Sequence, residues 1–373
     1  MAAPAAKRRG APGGDEGGRM SGISGAAGAE GAWDATLRSC PCPCQGYVAA
    51  QHIISPMKPA VRAGHSLCRP PTPHQGLSNR RRPMSDAGKA AIPSPAGDLP
   101  PEAAPLCVAE LALAARDIDK LAAFYTALLG AEPVADDAVP GALRFDLKAA
   151  ALRLLPSPGA APGRGNEPGL FHTAFLLPDR AALAGWLHHA LGLGLRLQGA
   201  SDHGVSDALY LSDPEGNGIE VYADRPRDAW PRDAAGGLAM MTERLDLQAL
   251  LSEAPGAALD PAQTRIGHVH LRAGDLAATE AFYRALGLEV TQRVPKASWL
   301  GSGGYHHHLA LNAWNSAGMR PAGLGGLAWL SLRATEAAAE RQARAALLAA
   351  DPAGGGREAH DPSGNLLRLE TAR

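Results

Sequence analysis

The chain has 373 residues, 46% of them hydrophobic, and a formal net charge of −1 at pH 7. A charge this close to zero gives no general attraction to nucleic acid or to an anionic membrane surface, and no apolar run is long enough to span a bilayer. No apolar stretch follows the first basic residues as a secretory signal would require, so we expect a cytoplasmic protein. The length predicts about two or three domains.

The first part of the chain differs in composition from the rest. Residues 1–103 are rich in Ala, Gly, Pro, Ser and Arg and show no sustained period, which predicts a disordered extension. Four of the five cysteines lie there: Cys40, Cys42, Cys44 and Cys68. They form either a soft-metal or redox cluster or an incidental feature of a low-complexity segment, and the missing CxxC spacing favours the second interpretation. Met84, which a polar SDAGK start follows, is a candidate initiation site.

From about residue 106 the chain becomes regular and repeats itself. Each repeat contains a strand pattern, an Asp, a short helix with Phe-Tyr, a Leu-Gly pair and a new strand, as in VAELALAARDIDKLAAFYTALLGAEPV and IGHVHLRAGDLAATEAFYRALGLEV. Asp117 and Asp275 stand where an N-cap would satisfy free helix amides, and the Gly past each helix suits a left-handed C′ position. Two more segments share the pattern, and they end in DPEGNGIEVY and DPSGNLLRLE.

A repeated unit that cannot bury its own face must pack against a neighbour. The sequence therefore predicts an α+β fold of four βαβββ modules in tandem, which form two half-open, barrel-like sheets whose concave faces enclose sites. Modules one and two make a first domain at 104–226, a linker covers 227–262, and modules three and four make a second domain at 263–373. Edge strands of such sheets often pair, so we also expect a homodimer.

The stretch HGVSDALYLSDPEGNGIE, from His203 to Glu220, predicts a tight hairpin with polar side chains on one face. SDALYLS alternates as a strand that carries Tyr210, and DPEGNG supplies the Pro, Gly and Asn of a chain reversal. The next strand places Glu220 and Tyr222 on the same face. A glutamate in an apolar strand is costly to bury unless a cation compensates it, so Glu220 is either solvent-facing, as most glutamates are, or a metal ligand.

Three stretches carry a family resemblance: YLSDPEGNGIEVYADRPRDAW, IGHVHLRAGDL and GGYHHHLALNAW. With the four-module layout, they are similar to the vicinal-oxygen-chelate superfamily, which includes glyoxalase I, fosfomycin-resistance proteins and extradiol ring-cleaving dioxygenases. Within it, residues 106–371 most resemble the bacterial two-domain catechol 2,3-dioxygenases. Because one scaffold hosts several reactions in this superfamily, the resemblance implies the fold more strongly than the chemistry.

The resemblance implies a metal site built from the first strands of two paired modules and the last strand of one of them. The first-strand positions of modules one to four hold Glu110, His172, His268 and Ala328. The last-strand positions of modules two and four hold Glu220 and Arg368. Pairing modules two and three therefore gives His172, His268 and Glu220, the facial triad of non-haem Fe(II) oxygenases.

Two positions near this triad leave alternatives open. His270 alternates with His268 on one strand face, and it either replaces His268 as a ligand or hydrogen-bonds beside it. The resemblance also implies a proton-handling histidine in the GYHHH segment and assigns it to His307, with His306 and His308 on the opposite strand face. The alternative is a polar strand end with surface histidines.

His203 and Tyr210 match a second histidine and a tyrosine that contact the catechol oxygens in the family. An imidazole can accept a catechol proton and return one, and a phenol can donate a hydrogen bond. Trp314 and Trp329 either line a ring-binding pocket or pack in the core.

The implied reaction is extradiol cleavage of a catecholic small molecule by O₂, with Fe(II) as the cofactor and Mn(II) as the alternative ion. Two other functions stay open. One is a glyoxalase-like metal-dependent isomerase or a thiol transferase, which needs a fourth protein ligand or a thiol pocket. The other is a non-catalytic protein that binds an aromatic compound without metal. Nucleic acid and membrane are not expected partners.

Overall fold

The computed structural model describes residues 99–253 and 260–371. Outside the described residues lie the predictions made for 1–98, namely the extension itself and the roles of Cys40, Cys42, Cys44, Cys68 and Met84. No helix in the described ranges is long and apolar enough to cross a membrane.

Modules one to three each consist of a strand, a helix and three further strands, as predicted. Module one contains β1 (Leu106–Ala115), α1 (Ile118–Leu129), β2 (Val134–Ala135), β3 (Leu143–Leu147) and β4 (Ala150–Pro156). Module two contains β5 (Gly169–Leu177), α2 (Arg180–Gly192), β6 (Gly199–Asp202), β7 (Ser206–Ser212) and β8 (Gly218–Asp224). After it come β9 (Glu243–Arg244) and α3 (Leu247–Glu253). Module three contains β10 (Arg265–Arg272), α4 (Leu276–Leu286), β11 (Glu289–Val294), β12 (Ala297–Gly301) and β13 (Leu309–Asn312).

Module four differs from the predicted pattern, because two strands rather than three follow its helix in the described residues. It contains β14 (Gly326–Ala334), α5 (Ala337–Ala350), β15 (Glu358–His360) and β16 (Leu366–Thr371). A short 3₁₀ turn at Pro352–Gly354 comes directly after the helix, and Gly355 and Gly356 then adopt positive φ. Proline and left-handed glycines suit a turn and interrupt a strand, which explains the difference.

The helix ends follow the predicted caps. The side chain of Asp117 accepts a hydrogen bond from the amide of Lys120 at the start of α1, and Asp275 accepts one from Ala278 at the start of α4. Gly130, which ends α1, has a left-handed φ of 66°. The Asp and Gly positions of the repeat are therefore the two ends of its helix.

The strands form two sheets, and each sheet takes modules from both halves of the chain. A seven-stranded sheet with the order β15-β16-β14-β1-β4-β3-β2 combines modules one and four. A nine-stranded sheet with the order β11-β12-β13-β10-β5-β8-β7-β6-β9 combines modules two and three with β9. The two half-open sheets and the α+β class are confirmed, whereas the domain boundaries at 104–226 and 263–373 stay a prediction.

The nine-stranded sheet has an apolar face under α2. Ile219 and Val221 of β8 belong to the same hydrophobic core as Leu183 and Leu187 of α2. Since side chains alternate along a strand, the intervening Glu220 faces the other, concave side of the sheet.

Buried tyrosines connect helices to the turns of neighbouring modules. Oη of Tyr125 in α1 donates to Oδ2 of Asp213, the first residue of the DPEGN turn between β7 and β8, at 3.1 Å. Oη of Tyr283 in α4 makes the same contact with Oδ2 of Asp361 in the DPSGN turn, at 3.2 Å. Burial raises the pKa of both tyrosines well above 10, so both are donors. Helix α1 therefore holds the turn from which β8 carries Glu220 into the sheet.

Candidate metal centre

Three neighbouring strands of the nine-stranded sheet bring the predicted ligands together. His172 lies on β5, which pairs with β8 on one side and with β10 on the other. Glu220 and His268 are the register partners of Ala174 on those two strands. Residues two apart on a strand share a face, so His172 lies on the same side as Ala174, whose small side chain leaves room for larger ones. The register therefore places one side chain from each strand over the same point.

The three side chains are buried and their ligating atoms are close. Nε2 of His172 lies 3.1 Å from Oε2 of Glu220, and Nε2 of His268 lies 3.3 Å from the same oxygen. One ligating atom from each residue lies within 4.8 Å of the others. Glu220 is 3% exposed, so the solvent-facing interpretation of this residue is wrong.

Burial and neighbouring groups set the protonation of the cluster. Burial lowers the pKa of His268 from 6.5 to about 4, which leaves its imidazole neutral at pH 7. Burial by itself raises the pKa of Glu220, but His268 and His172 hold it well below 4.5, so the carboxylate is ionised. A neutral imidazole and an ionised carboxylate are the forms that bind a metal ion.

Two buried ring nitrogens in the cluster lack a hydrogen bond of good geometry: Nδ1 of His268, and Nε2 of His172 despite its 3.1 Å distance from Oε2 of Glu220. A buried polar atom without a partner is destabilising, and an ion ligated by Nε2 of His172 would relieve that cost at this atom. Two imidazoles and one carboxylate are also the donor set of the 2-His-1-carboxylate sites. The residues present therefore fit a divalent transition-metal ion.

His270 lies beside the cluster but has a partner of its own. Its Nε2 lies 2.9 Å from Nδ2 of Asn312, which donates to it, and its ring centre is 4.8 Å from that of His172. The geometry groups His268 rather than His270 with His172 and Glu220, while the role of these three as ligands stays a prediction.

Tyr210 and His203 form a hydrogen-bonded pair next to the cluster. Tyr210 is the cross-strand partner of Glu220 in the β7–β8 hairpin, and its ring centre is 5.8 Å from that of His172. Nδ1 of His203 lies 2.8 Å from the carbonyl oxygen of Met241, which can only accept, so this nitrogen carries the proton. Nε2 of His203 then accepts from Oη of Tyr210 at 2.7 Å. The structure thus brings both predicted residues to the cluster.

The three consecutive histidines are all buried, with exposed fractions of 0% for His306, 7% for His307 and 1% for His308. The interpretation as surface histidines is therefore wrong. Strand β13 begins at Leu309, so the histidines precede the strand and do not alternate between its faces. The Nδ1 atoms of His306 and His307 are 2.7 Å apart, and the ring of His307 lies 4.1 Å from that of His268.

Sequence reasoning missed a second set of polar groups behind the histidines. Oδ1 of Asp224 lies 2.8 Å from Nε2 of His306, and its Oδ2 accepts a hydrogen bond from Oη of Tyr305 at 2.8 Å. Oη of Tyr222 is 3.0 Å from Oη of Tyr305. Glu220, Tyr222 and Asp224 are spaced two apart on β8, so the period that singled out Glu220 could also have identified Asp224.

Aromatic side chains lie beside the cluster. The ring centre of Phe171 is 5.3 Å from that of His172 and 5.6 Å from that of Trp314. Trp314 is half-buried and also contacts the ring of His270, at 5.8 Å. Its position agrees with the pocket interpretation, whereas Trp329 belongs to the seven-stranded sheet.

The equivalent position in the seven-stranded sheet carries an internal cation. Arg153 forms ion pairs with Glu110 and Asp136, and Nε1 of Trp329 donates to Oε1 of Glu110 at 2.8 Å. The guanidinium of Arg368 lies 3.9 Å from the centre of the Trp329 ring. Glu110 is thus neutralised by an arginine, and the described ranges contain no second group of three metal-ligating side chains.

The chain matches known proteins over modules one and two and again over modules three and four. The Glyoxalase/Bleomycin resistance protein/Dioxygenase superfamily matches residues 108–221 and 265–369. A catechol-2,3-dioxygenase from Bacillus subtilis (strain 168) is 39% identical over 228 residues, which cover 58% of this chain and 78% of that protein.

Two solved structures match part of the chain. One, from Bacillus subtilis subsp. subtilis str. 168, covers 71% of this chain and 84% of its own, with 13% identity and a TM-score of 0.46. Glyoxalase I from Zea mays covers 71% of this chain and 92% of its own, with 17% identity and a TM-score of 0.42.

Proposed function

Since the chain belongs to the Glyoxalase/Bleomycin resistance protein/Dioxygenase superfamily, we propose that it is an Fe(II)-dependent extradiol dioxygenase that cleaves a catecholic ring with O₂. The observation that carries the proposal is the convergence of His172, Glu220 and His268 from three strands at one buried point. The relative with 39% identity is named a catechol-2,3-dioxygenase, and we extend that substrate class to this chain.

The three ligands would hold Fe(II), with Mn(II) as the alternative ion. Such an ion, when bound, offers coordination positions for both oxygens of a catecholate and for O₂, and it supplies the redox chemistry. Two neutral imidazoles and one carboxylate leave a divalent ion with one net positive charge. The cluster therefore favours an anionic catecholate over a neutral ligand.

The polar neighbours would supply hydrogen bonds and proton transfer. Tyr210 donates to Nε2 of His203, and this pair can exchange that hydrogen bond for one with a substrate oxygen at the cluster. Burial lowers the pKa of His307 well below 6.5, so its neutral ring can accept a proton from the catechol. Phe171 and Trp314 provide aromatic faces against which a substrate ring can pack.

Anaerobically purified protein tests the proposal. Elemental analysis should find iron, and an oxygen electrode should record O₂ consumption with members of a catechol panel but not with phenols that lack the second hydroxyl. Iron-free protein that binds aromatic compounds without O₂ uptake would instead indicate a non-catalytic binder. Turnover of a hemithioacetal by the Zn²⁺ or Ni²⁺ form, with no O₂ uptake by the Fe(II) form, would indicate a glyoxalase-like isomerase.

A further inference from the structure

We propose that Asp224 and His306 are positioning residues that fix the tautomer of His307 and so leave Nε2 of His307 unprotonated beside the metal centre. The inference rests on the proposed function for its catalytic meaning, because Nε2 of His307 is then the atom that accepts the catechol proton. The tautomer itself is a property of the folded chain and is measurable without turnover.

A continuous line of hydrogen bonds connects the carboxylate to His307. His306 is fully buried between them, with its Nε2 at 2.8 Å from Oδ1 of Asp224 and its Nδ1 at 2.7 Å from Nδ1 of His307. On the other side, Oη of Tyr305 donates to Oδ2 of Asp224 at 2.8 Å. Oη of Tyr222 then donates to Oη of Tyr305, whose own proton is already committed. Both tyrosine hydroxyl protons therefore point towards Asp224.

The proton positions follow from what each group can do. An ionised carboxylate only accepts, so Nε2 of His306 carries a proton. In a neutral imidazole one nitrogen donates and the other accepts, so in the proposed network, in which His306 is neutral, its Nδ1 is an acceptor. The contact between the two Nδ1 atoms holds one proton, which must then lie on Nδ1 of His307. The second nitrogen of His307, Nε2, is left with a free electron pair.

Because His307 lies beside the predicted ligands, its tautomer decides whether it can accept a proton there. The centre of its ring lies 4.1 Å from the centre of the His268 ring, so the ring that carries the unprotonated nitrogen packs against the cluster of predicted ligands. A histidine with the opposite tautomer would present an N–H there and could not accept a proton. Asp224 thus acts on the site through two imidazoles. A carboxylate that accepts a hydrogen bond from one ring nitrogen of a histidine fixes its tautomer in the same way.

Two-bond ¹H–¹⁵N correlation spectra of the full-length, metal-free protein, labelled at histidine, test the proposal directly. The resonances are assigned with His306→Gln and His307→Gln variants. We expect His307 to be protonated at Nδ1 and His306 at Nε2 in the wild type. Wild-type His307 protonated at Nε2 would overturn the proposal, whether or not any variant folds.

Asp224→Asn tests the cause of the tautomer. An amide can donate as well as accept, so it no longer dictates the proton on His306, and we expect His307 to populate both tautomers. Asp224→Glu, which keeps the acceptor, should restore the wild-type pattern. Asp361→Asn is the matched control, because Asp361 is also a buried carboxylate that accepts from a tyrosine but lies at the turn before β16 in the seven-stranded sheet. An unchanged His307 tautomer in a folded Asp224→Asn protein would contradict the assigned role.

Kinetics of the iron-loaded protein add the catalytic readout. We expect Asp224→Asn to lower kcat about 10- to 100-fold with little change in KM or in iron content. Asp361→Asn should keep the wild-type kcat. A wild type that turns over no catechol would reject the proposed function, while the spectra would still decide the tautomer.

Discussion

A carboxylate at position 220 lies buried between two imidazoles, with Oε2 at 3.1 and 3.3 Å from their Nε2 atoms. Glu220→Ala removes the anionic member of this group, so we expect the variant to retain at least about tenfold less iron than the wild type. Glu370→Ala is the control, because Glu370 lies on β16, the last strand of module four, where it pairs with Arg333. Iron per chain is measured by elemental analysis after anaerobic purification. A Glu220→Ala protein with the wild-type iron content would show that the ligand assignment is wrong.

His307 contacts the ligand group without belonging to it. Because general acid–base catalysis contributes about 100- to 10,000-fold, we expect His307→Gln to keep its iron and to lose kcat by a factor in that range. His360→Gln, at an exposed histidine of β15, should leave both quantities unchanged. Oxygen-electrode kinetics and iron analysis on the same preparations check this. Full turnover by His307→Gln would assign the proton transfer to another residue.

The thiol of Cys107 illustrates how burial lowers the reactivity of a cysteine. Cys107 is 1% exposed, and burial raises its pKa from 9.0 to about 11. The thiolate is the reactive form, and at pH 8 only about one thiol in a thousand is ionised at this pKa. We expect iodoacetamide to leave Cys107 unmodified in the folded protein and to modify it after denaturation, as read by peptide mass spectrometry. Rapid modification of the native protein would mean that β1 opens readily.

At the scale of elements, alternation along the sequence predicted the β7–β8 hairpin but failed just before β13. In the hairpin, local residues decide the outcome: DPEGNG turns the chain, and the apolar positions fix which face Glu220 takes. Before β13, Gly303 and Gly304 adopt φ values of 59° and 71°, so the three histidines follow a turn. Their orientation depends on the contacts of Asp224 with His306 and Tyr305. Asp224 lies about 80 residues earlier in the chain, so the alternation of residues around the histidines could not predict these contacts.

The two tyrosine–aspartate hydrogen bonds can be tested with a matched pair of variants. Tyr125→Phe and Tyr283→Phe each remove one buried hydrogen bond to a carboxylate, and we expect each to lower the free energy of unfolding by about 1–3 kcal/mol. The turn that Tyr125 holds leads into β8 and Glu220, whereas the turn that Tyr283 holds leads into β16. We therefore expect Tyr125→Phe alone to weaken iron binding as well.

Urea unfolding and metal titration of both variants separate the two effects. Equal losses of stability with a selective loss of iron affinity in Tyr125→Phe would support the argument. If both variants weakened iron binding equally, the turn before β8 would not be what positions Glu220.

At the scale of the whole molecule, the repeats predicted the modules and the resemblance predicted the candidate ligands, but the partners of each module were harder to foresee. All four first strands carry similar apolar patterns, so the pattern does not say which two become neighbours. The pairing of modules two and three was predicted because module four has no histidine or glutamate at its two ligand positions, which hold Ala328 and Arg368. The pairing of modules one and four, which neutralises Glu110 with Arg153, was not predicted. The homodimer and the cytoplasmic location stay predictions.

Because the candidate ligands come from both modules of the nine-stranded sheet, an unfolded chain does not hold them together. A ligand that binds the folded state alone stabilises it by about 2.7 kcal/mol at a concentration of 100 times its Kd. We therefore expect Fe(II), or redox-inert Zn²⁺, to raise the midpoint of thermal unfolding by about 5 °C or more, as measured by differential scanning calorimetry.

Two variants show whether that shift comes from the proposed centre. Glu110→Gln breaks the ion pair with Arg153 in the seven-stranded sheet, so it should lower the metal-free midpoint and keep the full response to metal. Glu220→Ala removes a buried charge, so the metal-free protein should be little destabilised, while its response to metal should disappear. If metal raised the midpoint of Glu220→Ala as much as that of the wild type, the ion would bind elsewhere, and the three buried side chains would need another explanation.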